Sequence, residues 1–196
     1  MCSRSLGYWN DTAATALDAV EAAHRAVSGV GRGRRDATQQ INQGYLLLLS
    51  SHFQQFCRSL HSEAAGHLAS GLAGRLRDVM QSSLTVGRKL DQGNPNPGNL
   101  GADFGRLGMA FWQDVVSFRK GNDARKLVLD RMGQWRNAIA HRDFGSPAHH
   151  RELGGRSEVT LKEVRAFRAN CGGLARDFDA VVGAHIKDVA GRETGW

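Results

Sequence analysis

The chain has 196 residues, 41% hydrophobic and 23% charged with only three prolines, which excludes a disordered tail, a collagen-like repeat and a disulfide-stapled miniature. Lysine and arginine total 26 against 19 acidic residues, a formal net charge of +7, so anionic partners are favoured without one being named. The length fits one compact domain spanning 1–196. Cys2, Cys57 and Cys171 form neither a CxxC pair nor a disulfide framework, so a reducing cytoplasm is the expected compartment. The longest apolar run, Tyr45 to Leu49, falls far short of the about 20 residues that cross a bilayer. The first residues lack the apolar core of a signal peptide, so residue 1 onward is read as mature chain.

Apolar positions recur at helical spacing throughout. Ala13, Leu17, Val20, His24 and Val27 make a first helix behind Asn10 and Asp11 as candidate N-caps. The segment SGVGRGRRD ends it, and Gly31-x-Gly33 lacks the preceding strand and third glycine of a phosphate loop, so it reads as a solvated basic turn. From Thr38, Leu46, Leu49, Phe53, Phe56 and Leu60 share one stripe of a long central helix. A further helix is predicted over 72–90, a surface loop over GNPNPGNLG at 93–101, and a shorter apolar segment from Phe104 to Phe118. The segment DARKLVLDRMGQWRNAIAHRDF then forms a helix with Val128, Met132, Trp135 and Ile139 on its buried stripe. An exposed loop is expected over 144–157, followed by a long last helix that Thr160 and Glu163 open as a capping box and that Gly172 and Gly173 weaken in the middle. With no alternating pattern of useful length, the expected fold class is an all-α, single-domain bundle of five or six helices.

Charge is concentrated late in the chain. Between Arg119 and Arg168 there are 12 basic and 6 acidic residues, so these 50 positions carry +6 of the total. A field of that kind gathers a phosphate backbone and makes binding salt-dependent. On the helix after Gly121, Arg136 borders the apolar stripe, while Asn137 and His141 stand one above the other on the neighbouring polar flank. Histidine takes and gives a proton near neutrality, and a guanidinium stabilises charge developing on phosphate. Attack of a 2′-hydroxyl on its own phosphodiester needs both, and Asn137 would hold the imidazole or the phosphate. The bland alternatives are an imidazole resting on the helix dipole for His141 and an ion pair with Asp130 for Arg136.

The run Arg136-Asn137-Ala138-Ile139-Ala140-His141 resembles the R-x4-H motif of the HEPN superfamily, in which a polar residue, commonly Asn, follows the Arg. The helix YLLLLSSHFQQFCRSLHSEA is similar to the core helix of its RiboL-PSP-like branch. The resemblance implies a HEPN-like helical fold and a metal-independent endoribonuclease, without cofactor, whose composite cleft forms between two copies of the chain. Arg136, Asn137 and His141 would be catalytic, and a toxin or phage-defence role would follow, with an antitoxin or regulatory protein as a further partner. Where one variant of the motif carries a tyrosine two residues after the His, this chain has Asp143. Arg131, Arg142, His149, His150 and Arg151 are the expected RNA contacts, transfer RNA is one candidate substrate, and no metal site or membrane partner is expected. The alternative is a non-catalytic RNA-binding or adaptor module of the same fold.

Overall fold

A computed structural model describes residues 2–28 and 35–191. The glycine- and arginine-rich connection at 29–34, read above as a basic turn, lies outside the described residues. Helix accounts for 81% of the chain, with no strand among the described residues. The elements are α1 (Arg4–Tyr8), a wide π-helical turn (Trp9–Ala13), α2 (Ala14–Ser28), α3 (Arg35–Ala69), α4 (Gly74–Thr85), α5 (Lys89–Gln92), α6 (Pro97–Gly105), α7 (Phe111–Phe118), α8 (Asn122–His141), α9 (Pro147–Leu153) and α10 (Leu161–Ala190). Five of these are long, and six, the π-helical turn among them, are short pieces between or before them. No described helix is long and apolar enough to cross a membrane.

Helix α3 is the axis of the bundle, packed by α10, α2, α1 and α8. The predicted stripe Leu46, Leu49, Phe53, Phe56 and Leu60 is fully buried. Opposite it, α10 turns in Val164, Phe167, Cys171, Leu174, Phe178 and Val182. Aromatic rings join the layers: Phe104 stacks on Phe111 with centroids 4.3 Å apart, and Phe178 meets Phe111 at 4.9 Å and Phe53 at 6.2 Å. Each such buried ring removes a large apolar area from water, at about 25 cal/mol per Å2.

Several boundaries differ from the sequence expectation for local reasons. Asn10 and Asp11 do not cap the first helix; they sit inside the π-helical turn. The helical segment begins instead at Arg4, where Ser3 Oγ accepts from Leu6 N and Glu63 accepts from Arg4 N and Ser5 Oγ. The stretch 72–90 is two helices, because Gly87 adopts φ +72° and Arg88 turns inward. The supposed loop at 93–101 holds the start of α6, with Asn96 accepting from Asn99 N and Pro97 in the first turn. Likewise Ser146 caps α9 inside the supposed loop at 144–157, again with a proline behind it. Asn-Pro and Ser-Pro here start helices rather than interrupt them.

The capping box of Thr160 and Glu163 forms as predicted. Gly172 and Gly173 leave α10 unbroken. A Cβ at Gly173 would come within 2.7 Å of the Arg125 guanidinium carbon, and the missing side chain is what lets Arg125 reach buried Asp177 at 2.7 Å. Arg119 binds the same carboxylate through two nitrogens, at 2.9 and 3.1 Å, so Asp177 ties the end of α7 and the first turns of α8 to α10.

The short helices α5 and α6 are held on α3 by a buried polar cluster. Asp103 accepts from Lys89 N and Leu90 N, both at 2.8 Å, and its carbonyl accepts from His61 Nε2 at 2.9 Å. The buried Arg88 guanidinium donates to Arg58 O, Ser62 Oγ and His61 Nδ1, and binds Asp91. Because His61 Nδ1 accepts from a cation, the ring is neutral. Burial, chiefly, pushes its pKa down to about 4. An unfolded histidine takes its proton near 6.5. Between those values the unfolded chain binds more protons, so stability is complete above about pH 6.5 and declines as pH falls toward 4. The loss expected from this residue is on the order of 3 kcal/mol. Urea unfolding across that window should show it, with a flatter pH dependence in His61→Gln.

Candidate functional site

Helix α8 is oriented by Leu129, Met132, Trp135 and Ile139, all buried against the bundle, with Ala138 beside them. That leaves Asn137 and His141 exposed and Arg136 partly so. The helix stops at Arg142, a non-glycine residue in the left-handed region with φ 51°. Asp143 N then bonds back to Ala138 O at 3.0 Å, closing the last turn in the manner of a Schellman motif. A side chain in that region costs on the order of 1–2 kcal/mol, so the surrounding packing holds it there.

The chain returns as α9, clamped over the end of α8. Asp143 Oδ1 accepts from Ser146 N, and Ser146 Oγ from His149 N. The His149 ring lies edge-on to Trp135 at 6.1 Å and to Phe144 at 5.5 Å, and its Nε2 donates to Arg156 O at 2.7 Å. Arg156 in turn lies 5.6 Å from the Trp135 ring centroid and grips Glu163 through two bonds of 2.7 and 2.9 Å. Those bonds, with the Thr160 cap, draw the Glu163 carboxyl down to about 2.

Between α8 and α9 opens a cavity of about 260 Å3, lined among others by Asn137, His141, Asp143, His149 and Glu152. Asn137 is fixed from the opposite side. Its Oδ1 accepts from Asn94 Nδ2 at 2.5 Å and from Arg136 Nη1 at 3.3 Å, which leaves its own N–H groups as the free end. Asn94 is buried, its carbonyl accepts from Asn99 Nδ2, and Gln54 Nε2 holds the neighbouring Leu90 and Gly93 carbonyls. Arg136 therefore touches Asn137 rather than Asp130, whose carboxylate accepts from Gln134 instead. It does not line the cavity that Asn137 and His141 share. The amide and the imidazole share the cavity, while the guanidinium bonds the amide oxygen from outside its lining.

The expected RNA contacts separate into two groups. Arg131, Arg142, His150 and Arg151 are exposed, Arg151 lying 3.8 Å from Glu152. His149 is not a surface contact: it is 5% exposed and forms a wall of the cavity. Other histidines lie apart, His52 bonded to Tyr8 and His61 buried with Arg88. Trp135 is fully buried and not open to stack on a base, while Trp112 is half-buried, its indole N–H donating to Pro97 O. The basic surplus between Arg119 and Arg168 is also partly spent internally, because Arg119, Arg125, Arg156, Arg165 and Arg168 all pair with carboxylates. Arg131 and Arg136 on the second half of α8, and Arg142 just past its end, make no such pair among the described residues. Among the described residues no three histidine, cysteine or acidic side chains converge as metal ligands.

Sequence reasoning missed Asn94 and Glu152. The first was hidden in a segment read as a surface loop, the second in one read as an exposed loop. Compared with known proteins, the chain matches no family model, no curated protein and no solved structure. Asn94→Ala removes one of the two donors on Asn137 Oδ1, so urea unfolding should show a loss of about 1 kcal/mol, the usual worth of such a bond.

Proposed function

We propose that this chain is a HEPN-type endoribonuclease that cleaves RNA without a metal, by attack of the 2′-hydroxyl on the adjacent phosphodiester. The observation that carries the reading is that His141 and the oriented amide of Asn137 open into one surface cavity, with Arg136 bonded to that same amide. His141 stands exposed at the C-terminal end of α8. It would take the proton of the attacking hydroxyl or give one to the departing 5′ oxygen. The Asn137 N–H groups, with Oδ1 already engaged, would donate to a phosphate oxygen, and Arg136 would stabilise the charge of the crowded intermediate.

Because Arg136 lies outside the cavity that holds His141, the reading includes a second copy of the chain whose α8 faces the first and completes the cleft. Arg131 and Arg142 would steer the backbone from either side. A toxin or defence role, a transfer RNA target and a controlling antitoxin belong to the same proposal and follow from the resemblance of RNAIAH alone.

A second reading has its own support: the carboxylates of Asp143 and Glu152 on the cavity wall and the displacement of Arg136 suit an RNA-binding module that does not cut. Cleavage of labelled RNA by purified protein separates the two. His141→Ala should slow cleavage by about 10²–10⁴-fold, with helical content by circular dichroism unchanged and EDTA without effect. An unchanged rate in His141→Ala would remove the imidazole from the mechanism. Intact RNA bound equally by both proteins would favour the binding module.

A further inference from the structure

The chemistry of the cavity walls beside His141 is lopsided. Asp143 and Glu152 place two carboxylates there, and one oxygen of Asp143 is already engaged by Ser146 N. His149 is almost wholly buried in the same wall. Its Nε2 bonds the Arg156 carbonyl, and its Nδ1 is buried without a hydrogen-bond partner. One N–H of the Gln134 amide is engaged by Asp130, and its oxygen has no recorded donor. The C-terminal end of α8 adds partial negative charge. Among the described residues no lysine or arginine lines the cavity, although Arg151 lies 3.8 Å from the Glu152 carboxylate, and Ala138 and Leu153 give it a buried apolar floor.

The carboxylate wall disfavours phosphate, which stays at the mouth where Asn137 and His141 lie exposed. The cavity suits a flat, uncharged ring that lays one face on apolar atoms and presents N–H groups to acceptors. Its volume of about 260 Å3 lies just under the ~300–1,000 Å3 of pockets for drug-sized ligands, appropriate for one nucleobase. Among the bases, guanine offers two adjacent donors, N1–H and the 2-amino group, which meet a carboxylate through two parallel bonds. Adenine and cytosine offer one amino group each. Uracil sets its single N3–H between two carbonyls that the acceptor wall would oppose.

We propose that this cavity is a base-recognition subsite, that it selects guanine first and uracil last, and that Glu152 sets that choice. Placing the base there holds its nucleotide next to His141, with the phosphates outside, toward Arg136 and Arg142. The proposal rests on the RNA reading given above, yet base recognition stands or falls separately from cleavage.

The test is titration of the full-length protein with guanosine, adenosine, cytidine and uridine, followed by amide shifts in 15N NMR spectra. Guanosine should shift Asn137, Ser146 and Leu153 and bind at least tenfold tighter than uridine. Glu152→Gln should lose about tenfold of the guanosine affinity and leave uridine unchanged. The comparison of guanosine with uridine on the unaltered protein needs no variant, so a misfolded substitution does not spoil it. Equal binding of the four nucleosides, shifts elsewhere on the surface, or tighter binding of N-acetylarginine amide than of guanosine would overturn the proposal. Guanosine selectivity in a protein that leaves RNA intact would sink the nuclease and keep the subsite. Cleavage without base preference, unaltered in Glu152→Gln, would do the reverse.

Discussion

The Asp103 carboxylate, buried beneath α5, is the interaction on which the candidate site's geometry depends. It holds the first amides of α5, while its own carbonyl receives His61 from α3 and the Arg88 guanidinium fills the space between. Removing one member of such a buried cluster leaves a charge or dipole without a partner, which costs about 3–5 kcal/mol. More than stability rides on it. With α5 pinned, Gln54 can hold the carbonyls of Leu90 and Gly93, and Asn94 is delivered to the side of α8 where it grips Asn137. The orientation of one exposed amide is thus set by a chain of bonds that begins in the core.

Electrostatics at the site follow from what the basic residues already do. Five arginines that sequence alone credits to an outward field are spent on Asp177, Glu163, Glu21 and Asp18. They fasten α2, α7 and α8 to α10, or the start of α10 to the turn before it. What faces outward near Asn137 is a smaller group, Arg131, Arg136 and Arg142, beside a cavity whose own walls are acidic. On the proposed function, attraction for a polyanion and recognition of an uncharged ring would be divided between neighbouring surfaces.

The long elements were legible in the sequence because their apolar spacing is regular. Leu46 to Leu60 on α3, Met132 to Ile139 on α8, and Val164 to Phe178 on α10 are buried as their periods require. The short helices were not. Pro97 and Pro147 suggest breaks in the chain, yet each sits in a first turn behind Asn96 or Ser146, where a missing amide hydrogen costs nothing. The pair Asn137 and His141 could be placed on one flank from spacing alone. That His149 faces inward, and that Asn94 reaches Asn137 across 43 positions, depends on tertiary packing for which a single sequence carries no signal. Gly173 had the opposite fate: a residue that looks like a helical weakness is an opening through which Arg125 passes.

Glu163 links two structures that seem unrelated in sequence. Its oxygens accept from Thr160 at the start of α10 and from the Arg156 guanidinium poised over Trp135. Arg156 O, in turn, anchors the His149 ring. The wall of the cavity therefore inherits its stiffness from a helix cap that never meets a ligand. Sequence drift at that distant cap would retune the shape of the recess without altering any residue that lines it.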